Sequence, residues 1–169
     1  MAQETIYEST SDNVRVIKVN DDEYIVETIN SNQAASFQNF NDNTFKNCTG
    51  KITVNGTFTN INALQNSKFT DVNLKEMVYN NTGNSGFGMI KQYFQQVKTL
   101  VLPDAQATLN KDDFNDLTSL ESITFGAGAK DIPASIFSDK TTLKTVVFSN
   151  GVENIGNMAF KACSNHQQD

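Results

Sequence analysis

Apolar positions in the last third of the chain fall into columns. Three stretches, starting at Val97, Leu120 and Leu143, read VKTLVLPDAQATLNKDDFNDLTS, LESITFGAGAKDIPASIFSDKTT and LKTVVFSNGVENIGNMAFKACSN. They follow one another without a gap at a period of 23 residues, from 97 to 120 to 143. Val97, Leu120 and Leu143 share the first column, Leu100, Ile123 and Val146 the next, and Leu102, Phe125 and Phe148 the third. Leu109, Ile132 and Ile155 follow, then Phe114, Phe137 and Phe160. A fixed period of this length marks a stacked-repeat architecture. The fourth and sixth residues of each row lie on one side of a strand, because side chains alternate along extended chain. A strand of three residues cannot stand alone, so successive strands must pair in parallel at about 4.8 Å. The rest of each row is expected to form a turn, a crossing segment and a short helix carrying its phenylalanine inward. Each coil then buries its apolar ladder only against its neighbours. The predicted fold is an α/β solenoid of short parallel strands with short helices or turns.

The pattern weakens upstream without vanishing. KITVNG offers Ile52 and Val54 as a strand pair, and TDVNLKEM offers Val72 and Leu74. The wider spacing from Leu74 to Leu100 requires an insertion, VYNNTGNSGFGMIKQYFQQ. It reads as a Gly/Asn loop followed by a helix using Met89, Ile90, Tyr93, Phe94 and Val97. In FQNFNDNTFKNCTG, Phe45 and Cys48 are spaced as Phe160 and Cys163 are. The segment NVRVIKVNDDEYIVETI differs: Val14 and Val16, then Tyr24, Val26 and Ile29 across an NDDE turn, predict a β-hairpin. It would cap the first coil. The chain therefore divides into a cap region at 1–44, a solenoid at 45–165 and a tail at 166–169.

The last row resembles the BspA-like leucine-rich repeat, in which a strand is followed by G-V-x-x-I-G-x-x-A-F-x-x-C. The matching residues are Gly151, Val152, Ile155, Gly156, Ala159, Phe160 and Cys163. The preceding row has IPASIF where the last has IGNMAF, and the row before it has LNKDDF. The segment GKITVNGTFTNINALQNSKFTDVNLKEM is similar to the degenerate first repeats of such arrays in gut Bacteroidetes proteins. The resemblance covers residues 97–165 strictly and 45–165 loosely. It implies a leucine-rich-repeat fold and a secreted or surface-anchored bacterial protein that acts by binding, as the adhesins of this family do toward host or bacterial partners.

Composition narrows the function classes. The formal net charge is −6 and the pI about 4.7, which disfavours nucleic acid and anionic membrane, both of which call for a cationic footprint. No apolar run approaches the length that spans a bilayer. The N-terminus MAQETIYEST lacks a charged-then-apolar leader, so the chain is either intracellular or has lost one; the family resemblance favours the second. The chain has two Cys and one His. Cys48 and Cys163 occupy equivalent columns about five coils, or roughly 24 Å, apart, and a disulfide needs Cα atoms within roughly 7 Å. Two buried free thiols are expected, with no catalytic role. His166 follows the last repeat and has no ligand-spaced partners. GNSGFG at Gly83–Gly88 lacks the glycine at Phe87 that a nucleophile elbow needs, and the Lys-Ser/Thr of a phosphate loop. Gly126 and Gly128 in FGAGAK are expected to supply positive-φ turns. Asp21, Asp22 and Glu23 read as a hairpin turn, and Asp112, Asp113 and Asp116 as the first turn of a short helix. Neither cluster has the calcium-loop pattern. No catalytic residue, metal site or cofactor is expected, and no enzyme can be assembled from this inventory.

The outward positions of the strands are predictable. They are Thr53, Asn73, Val101, Thr124 and Val147, with Thr99, Ser122 and Thr145 two residues earlier. This ladder of small neutral side chains holds no aromatic platform and no basic groove, which disfavours sugar stacking. It is either a shallow face for a host or bacterial surface protein or a solvated face on a structural spacer that holds another domain. The insertion near residues 79–88 is a second candidate surface. After Asn165 no capping element follows, so the strand near Val146–Phe148 should present an open edge. Further coils or a second copy in a homodimer would cover it.

Overall fold

The computed structural model describes residues 2–38, 40, 45, 47–80, 90–105 and 108–163. Its described strands are β1 (Glu4–Ser9), β2 (Val14–Asn20), β3 (Glu23–Thr28), β4 (Ala35–Ser36), β5 (Lys51–Asn60), β6 (Asp71–Asn73), β7 (Met77–Tyr79), β8 (Thr99–Val101), β9 (Ser122–Thr124), β10 (Asp131–Ile132), β11 (Thr145–Val147) and β12 (Asn154–Ile155). A 3-10 turn spans Asn62–Leu64 and one helical turn, α1, spans Ile90–Tyr93. The main sheet runs β1-β2-β3-β5-β6-β8-β9-β11, and β10 pairs with β12 in a second, two-stranded sheet.

The solenoid predicted from the columns is present. Leu100 pairs with Ile123 and Ile123 with Val146, in parallel and in register. The coils stack through the same bonds each time. The N–H groups of Glu121 and Lys144 donate to the carbonyls of Lys98 and Glu121, both at 2.8 Å. Those of Leu74, Leu102 and Phe125 donate to Val101, Thr124 and Val147, all at 2.9 Å. From Leu100 to Ile123 to Val146 the stacked coils have the equal length that the period of the columns encodes, and the coil from Val72 to Leu100, which holds the insertion, keeps the same bond through Leu74.

The N-terminal hairpin is part of this sheet. β2 and β3 pair antiparallel, with Val16 opposite Val26, and β3 then pairs in parallel with β5. β1 adds a third antiparallel strand that the apolar pattern did not signal, since no residue of ETIYES is fully buried. An edge-to-face aromatic cluster joins the cap to the first coil: Tyr24 lies 5.4 Å from Phe45, and Phe45 lies 5.3 Å from Phe69. Asn13 locks the corner between β2 and the segment after β3. It is buried, with φ 57, and its amide donates to the carbonyls of Asn30 and Gln33 while accepting the Asn30 N–H. Asn13→Ala would leave three backbone groups without this partner. It should cost about 2–3 kcal/mol, read as a lower urea midpoint at unchanged slope. An unchanged midpoint would show that the corner does not depend on the side chain.

β5 is long because it serves two faces. Its first half pairs with β3 and β6 in the main sheet; its second half pairs with β4 and β7. The switch lies at Gly56, where φ is 105 and a Cβ would stand 2.3 Å from the Thr28 hydroxyl. Val78 and Tyr79, expected in a loop, are therefore strand residues. The helix expected after that loop is the single turn α1, followed by buried Phe94 and Val97. Met89 and residues 81–89 lie outside the described residues.

The crossing segments differ from expectation. No helix carries Phe114 or Phe137, although both are fully buried. Residues 134–139 form turns whose N–H groups reach the next coil instead: Ser135 to Asn157, Phe137 to Ala159 and Asp139 to Lys161, at 2.8–3.1 Å. Ser135 and Asp139, like Met158 and Ala162 one coil on, hold φ between 57 and 63. That left-handed conformation ends any helix. Backbone bonds between coils replace bonds within a helix, and the phenylalanines stack down the axis. Phe114 lies 5.1 Å from Phe137, and Phe137 lies 5.5 Å from Phe160. Asp113 correspondingly has no helix dipole to serve; its buried carboxylate accepts the Asn110 N–H. Leu109 and Ile132 are buried as their column predicts, and Ile132 pairs with Ile155 in the second sheet.

Candidate functional site

Alternation along the strands sets the outward face. In β5, Ile52 and Val54 turn into the core while Lys51, Thr53 and Asn55 turn out. The same parity holds in β6, β8 and β9, where Val72, Leu100 and Ile123 are the inward residues. The register then aligns the outward side chains into rows across strands. Ile17, Ile25, Thr53, Asn73, Val101, Thr124 and Val147 form one row. Glu23, Lys51, Asp71, Thr99, Ser122 and Thr145 form another. All eight residues expected on this face thus lie on it, in two adjacent rows.

The face is chemically uneven. Toward the N-terminus, Arg15 binds the Glu27 carboxylate and approaches Glu8 at 4.0 Å, and Lys51 pairs with Glu23 at 3.0 Å. From β8 onward the two rows are neutral. The charges move to the margin where the strands begin: Glu121 lies 3.8 Å from Lys98 and 2.8 Å from Lys144. The hydrogen bond and charge of Lys144, and then those of Lys98, hold the Glu121 carboxyl below its ordinary value. This small, solvent-screened contribution is present above the ordinary glutamate range and fades as pH falls through the lowered value.

At the margin where the strands end, the neutral rows open into a groove of about 660 Å³. Val101, Thr124 and Val147 line it, together with Lys75, Asp104 and Phe148. Asp104 ties successive coils together. Its N–H donates to the Lys75 carbonyl, its carboxylate accepts the Ala127 N–H at 3.0 Å, and its carbonyl accepts the Gly128 N–H. Lys75 and Asp104 approach to 4.0 Å. The repeat pattern did not disclose these two, because the positions equivalent to Asp104 hold Ala127 and Asn150 and no column forms. Phe148 belongs to the inward column and reaches the groove only from the end of the described array. Its counterparts Leu102 and Phe125 are buried, whereas Phe148 is 40% exposed because no described coil covers it.

Gly126 forms part of the groove wall, and its role differs from that expected. Neither it nor Gly128 has a positive φ. A Cβ on Gly126 would stand 2.0 Å from the Pro103 carbonyl oxygen, so it is close stacking of the coils that excludes a side chain. The thiols are free, as predicted, but only Cys48 is buried; Cys163 is half-exposed. Burial raises the pKa of both, which lowers thiolate character. Among the described residues no three His, Cys, Asp or Glu side chains gather as a metal ion would require, and no helix is long and apolar enough to cross a membrane. His166 lies outside the described residues.

Residues 90–168 match the family described as BspA type leucine rich repeat region (6 copies). This part of the chain is a BspA-type leucine-rich-repeat region. The crystal structure of the T. pallidum leucine rich repeat protein also aligns with the chain, at 14% identity and a TM-score of 0.41, covering 93% of this chain and 89% of that one. No curated protein matches in sequence. The geometry of the BspA-type region accounts for the residues that carry its motif. Ile155 pairs with Ile132, and the Gly156 N–H donates to the Ile132 carbonyl at 2.7 Å. Ala159 is buried, Phe160 stacks on Phe137, and the Cys163 thiol donates to the Phe137 carbonyl at 3.2 Å. From Ile155 to Cys163 the motif residues contact the previous coil, so this part of the motif describes stacking and leaves the outward face free to vary.

Proposed function

We propose that the chain is a non-catalytic binding module of a secreted or surface-anchored bacterial protein, and that it holds a host or bacterial surface protein against the outward face of β8, β9 and β11. A repeat fold of this family suits a binding or scaffold role. The observation that carries the finer reading is the groove: the neutral rows do not end in solvent but continue, through Val101, Thr124 and Val147, into a concavity with an exposed aromatic and a Lys75–Asp104 pair at its sides. Apolar floor with few polar groups at the rim is the usual make-up of a protein-recognition surface.

The test is an array of host and bacterial surface proteins probed with the recombinant chain. Thr124 lies in the middle of its row, half-exposed, so Thr124→Arg should leave the fold intact. It should weaken retention of the partner by roughly a hundredfold, since it places an unmatched charge at the centre of the contact. Equal binding by Thr124→Arg would turn the reading toward the spacer alternative, in which this face is merely solvated. Fractionation of the native cells tests localisation: the protein should be recovered from the medium or the outer surface.

A further inference from the structure

The chain holds two Asn-Gly pairs, Asn55–Gly56 and Asn150–Gly151. Such a pair can react with itself. The glycine nitrogen attacks the side-chain carbonyl carbon of the asparagine, its proton passes to water, and the amide nitrogen leaves as ammonia. Water then opens the resulting succinimide to aspartate or isoaspartate. Glycine favours the step because it has no side chain to crowd the attack and lets the backbone turn into it. The step needs an asparagine amide free to rotate, a glycine N–H without an acceptor, and backbone that can leave its resting conformation.

The two pairs differ in the last two requirements. Asn55 and Gly56 lie inside β5, where Asn55 pairs with Glu27 of β3 and Gly56 with Met77 of β7. The Gly56 N–H donates to the Glu76 carbonyl at 3.0 Å, so the nucleophile is bound and the two sheets hold its backbone. Asn150 and Gly151 are instead the middle residues of a turn closed by the Val152 N–H on the Ser149 carbonyl, at 3.3 Å. The Ser149 hydroxyl anchors that turn to the Gly126 carbonyl at 2.8 Å. Asn150 is exposed, and among the described residues neither its amide nor the Gly151 N–H makes a hydrogen bond. This exposure belongs to the column: Ala127, the mate of Asn150 one coil earlier, is exposed although a coil follows it.

We propose that Asn150 is a self-modification site, which converts to aspartate and isoaspartate in the folded protein while Asn55 persists. Asn150 lines the groove at the strand ends, in the column where Asp104 stands two coils earlier. Conversion adds a carboxylate to that wall and carries the net charge of −6 one unit further. The pace is set by the age of the molecule. The reaction requires no partner, so it stands apart from the binding reading of the same groove.

The test holds the folded chain at mildly alkaline pH beside a sample unfolded in guanidinium chloride. Both are followed by peptide mass spectrometry and anion-exchange chromatography. In the unfolded sample the two pairs should convert at similar rates. In the folded sample the Asn150 peptide should convert, and the chain should gain a more acidic form that elutes with the Asn150→Asp variant. Asn55 should lag by at least about tenfold, because the Gly56 N–H is released only when the sheet opens locally. Asn150→Gln, at an exposed position, should keep the fold and form no acidic species over the same period, since the longer side chain closes its ring more slowly. Asn150 left intact in the folded chain once the unfolded chain has converted overturns the proposal. So does conversion of Asn55 as fast as Asn150 in the folded chain.

Discussion

Phe137→Ala is expected to cost about 3–5 kcal/mol and to unfold the C-terminal coils ahead of the rest. Phe137 is fully buried and touches the array on three sides: Phe114 at 5.1 Å, Phe160 at 5.5 Å and Phe125 at 6.0 Å. Removing its ring opens a cavity that a backbone tied coil to coil cannot collapse to fill. In a repeat array, stability is close to a sum of coil terms and neighbour terms. The loss should therefore remain local. Hydrogen exchange would show lost protection in β9, β10, β11 and β12, with β2, β3 and the first half of β5 still protected. Uniform loss across all strands would mean that the cap and coils unfold as one unit and that the neighbour-only account is wrong.

Gly126→Ala is expected to be nearly as damaging, at about 3 kcal/mol, although it adds one methyl group at a position of ordinary backbone conformation. The added carbon would overlap the Pro103 carbonyl, 2.0 Å to the oxygen and 2.4 Å to the carbon, and would lie 2.8 Å from the Asp104 nitrogen. All three are backbone atoms, so no flexible side chain can yield. Relief requires the two coils to separate, which strains the Ala127 N–H bond to the Asp104 carboxylate and the Gly128 N–H bond to the Asp104 carbonyl. The decisive measurement is the urea midpoint of Gly126→Ala beside that of Gly128→Ala. Gly128 has an ordinary φ as well, and its substitution keeps the N–H that bonds the Asp104 carbonyl, so the second variant should fall much less. Equal losses would point back to turn conformation as the reason for both glycines.

The sequence made the coil-to-coil columns legible and concealed what lies between them. Leu100, Ile123 and Val146 could be aligned because each faces the same neighbour in every coil, so burial selects the same residue type repeatedly. The outward rows followed from alternation alone, and all eight expected residues lie on them. What failed lacks a repeating cause. The crossing segments carry phenylalanine at an interval that suits a helix, but their N–H groups satisfy the next coil, and a bond to another coil leaves no local signature. β1 is an edge strand without a buried stripe. Lys75 and Asp104 sit where the strand leaves the sheet, and the array varies that position from coil to coil.

The change of character along the outward face, from the Arg15, Glu27, Lys51 and Glu23 ion pairs to the neutral threonines and valines beyond β6, gives the surface a direction. The row from Ile17 to Val147 crosses six strand spacings, roughly 29 Å at about 4.8 Å each. An elongated ligand laid along it meets a saline bank at one end and a dry one at the other. Under the proposed function, reversing the ligand would exchange those environments, and the two orientations would differ in energy before any single side chain is read.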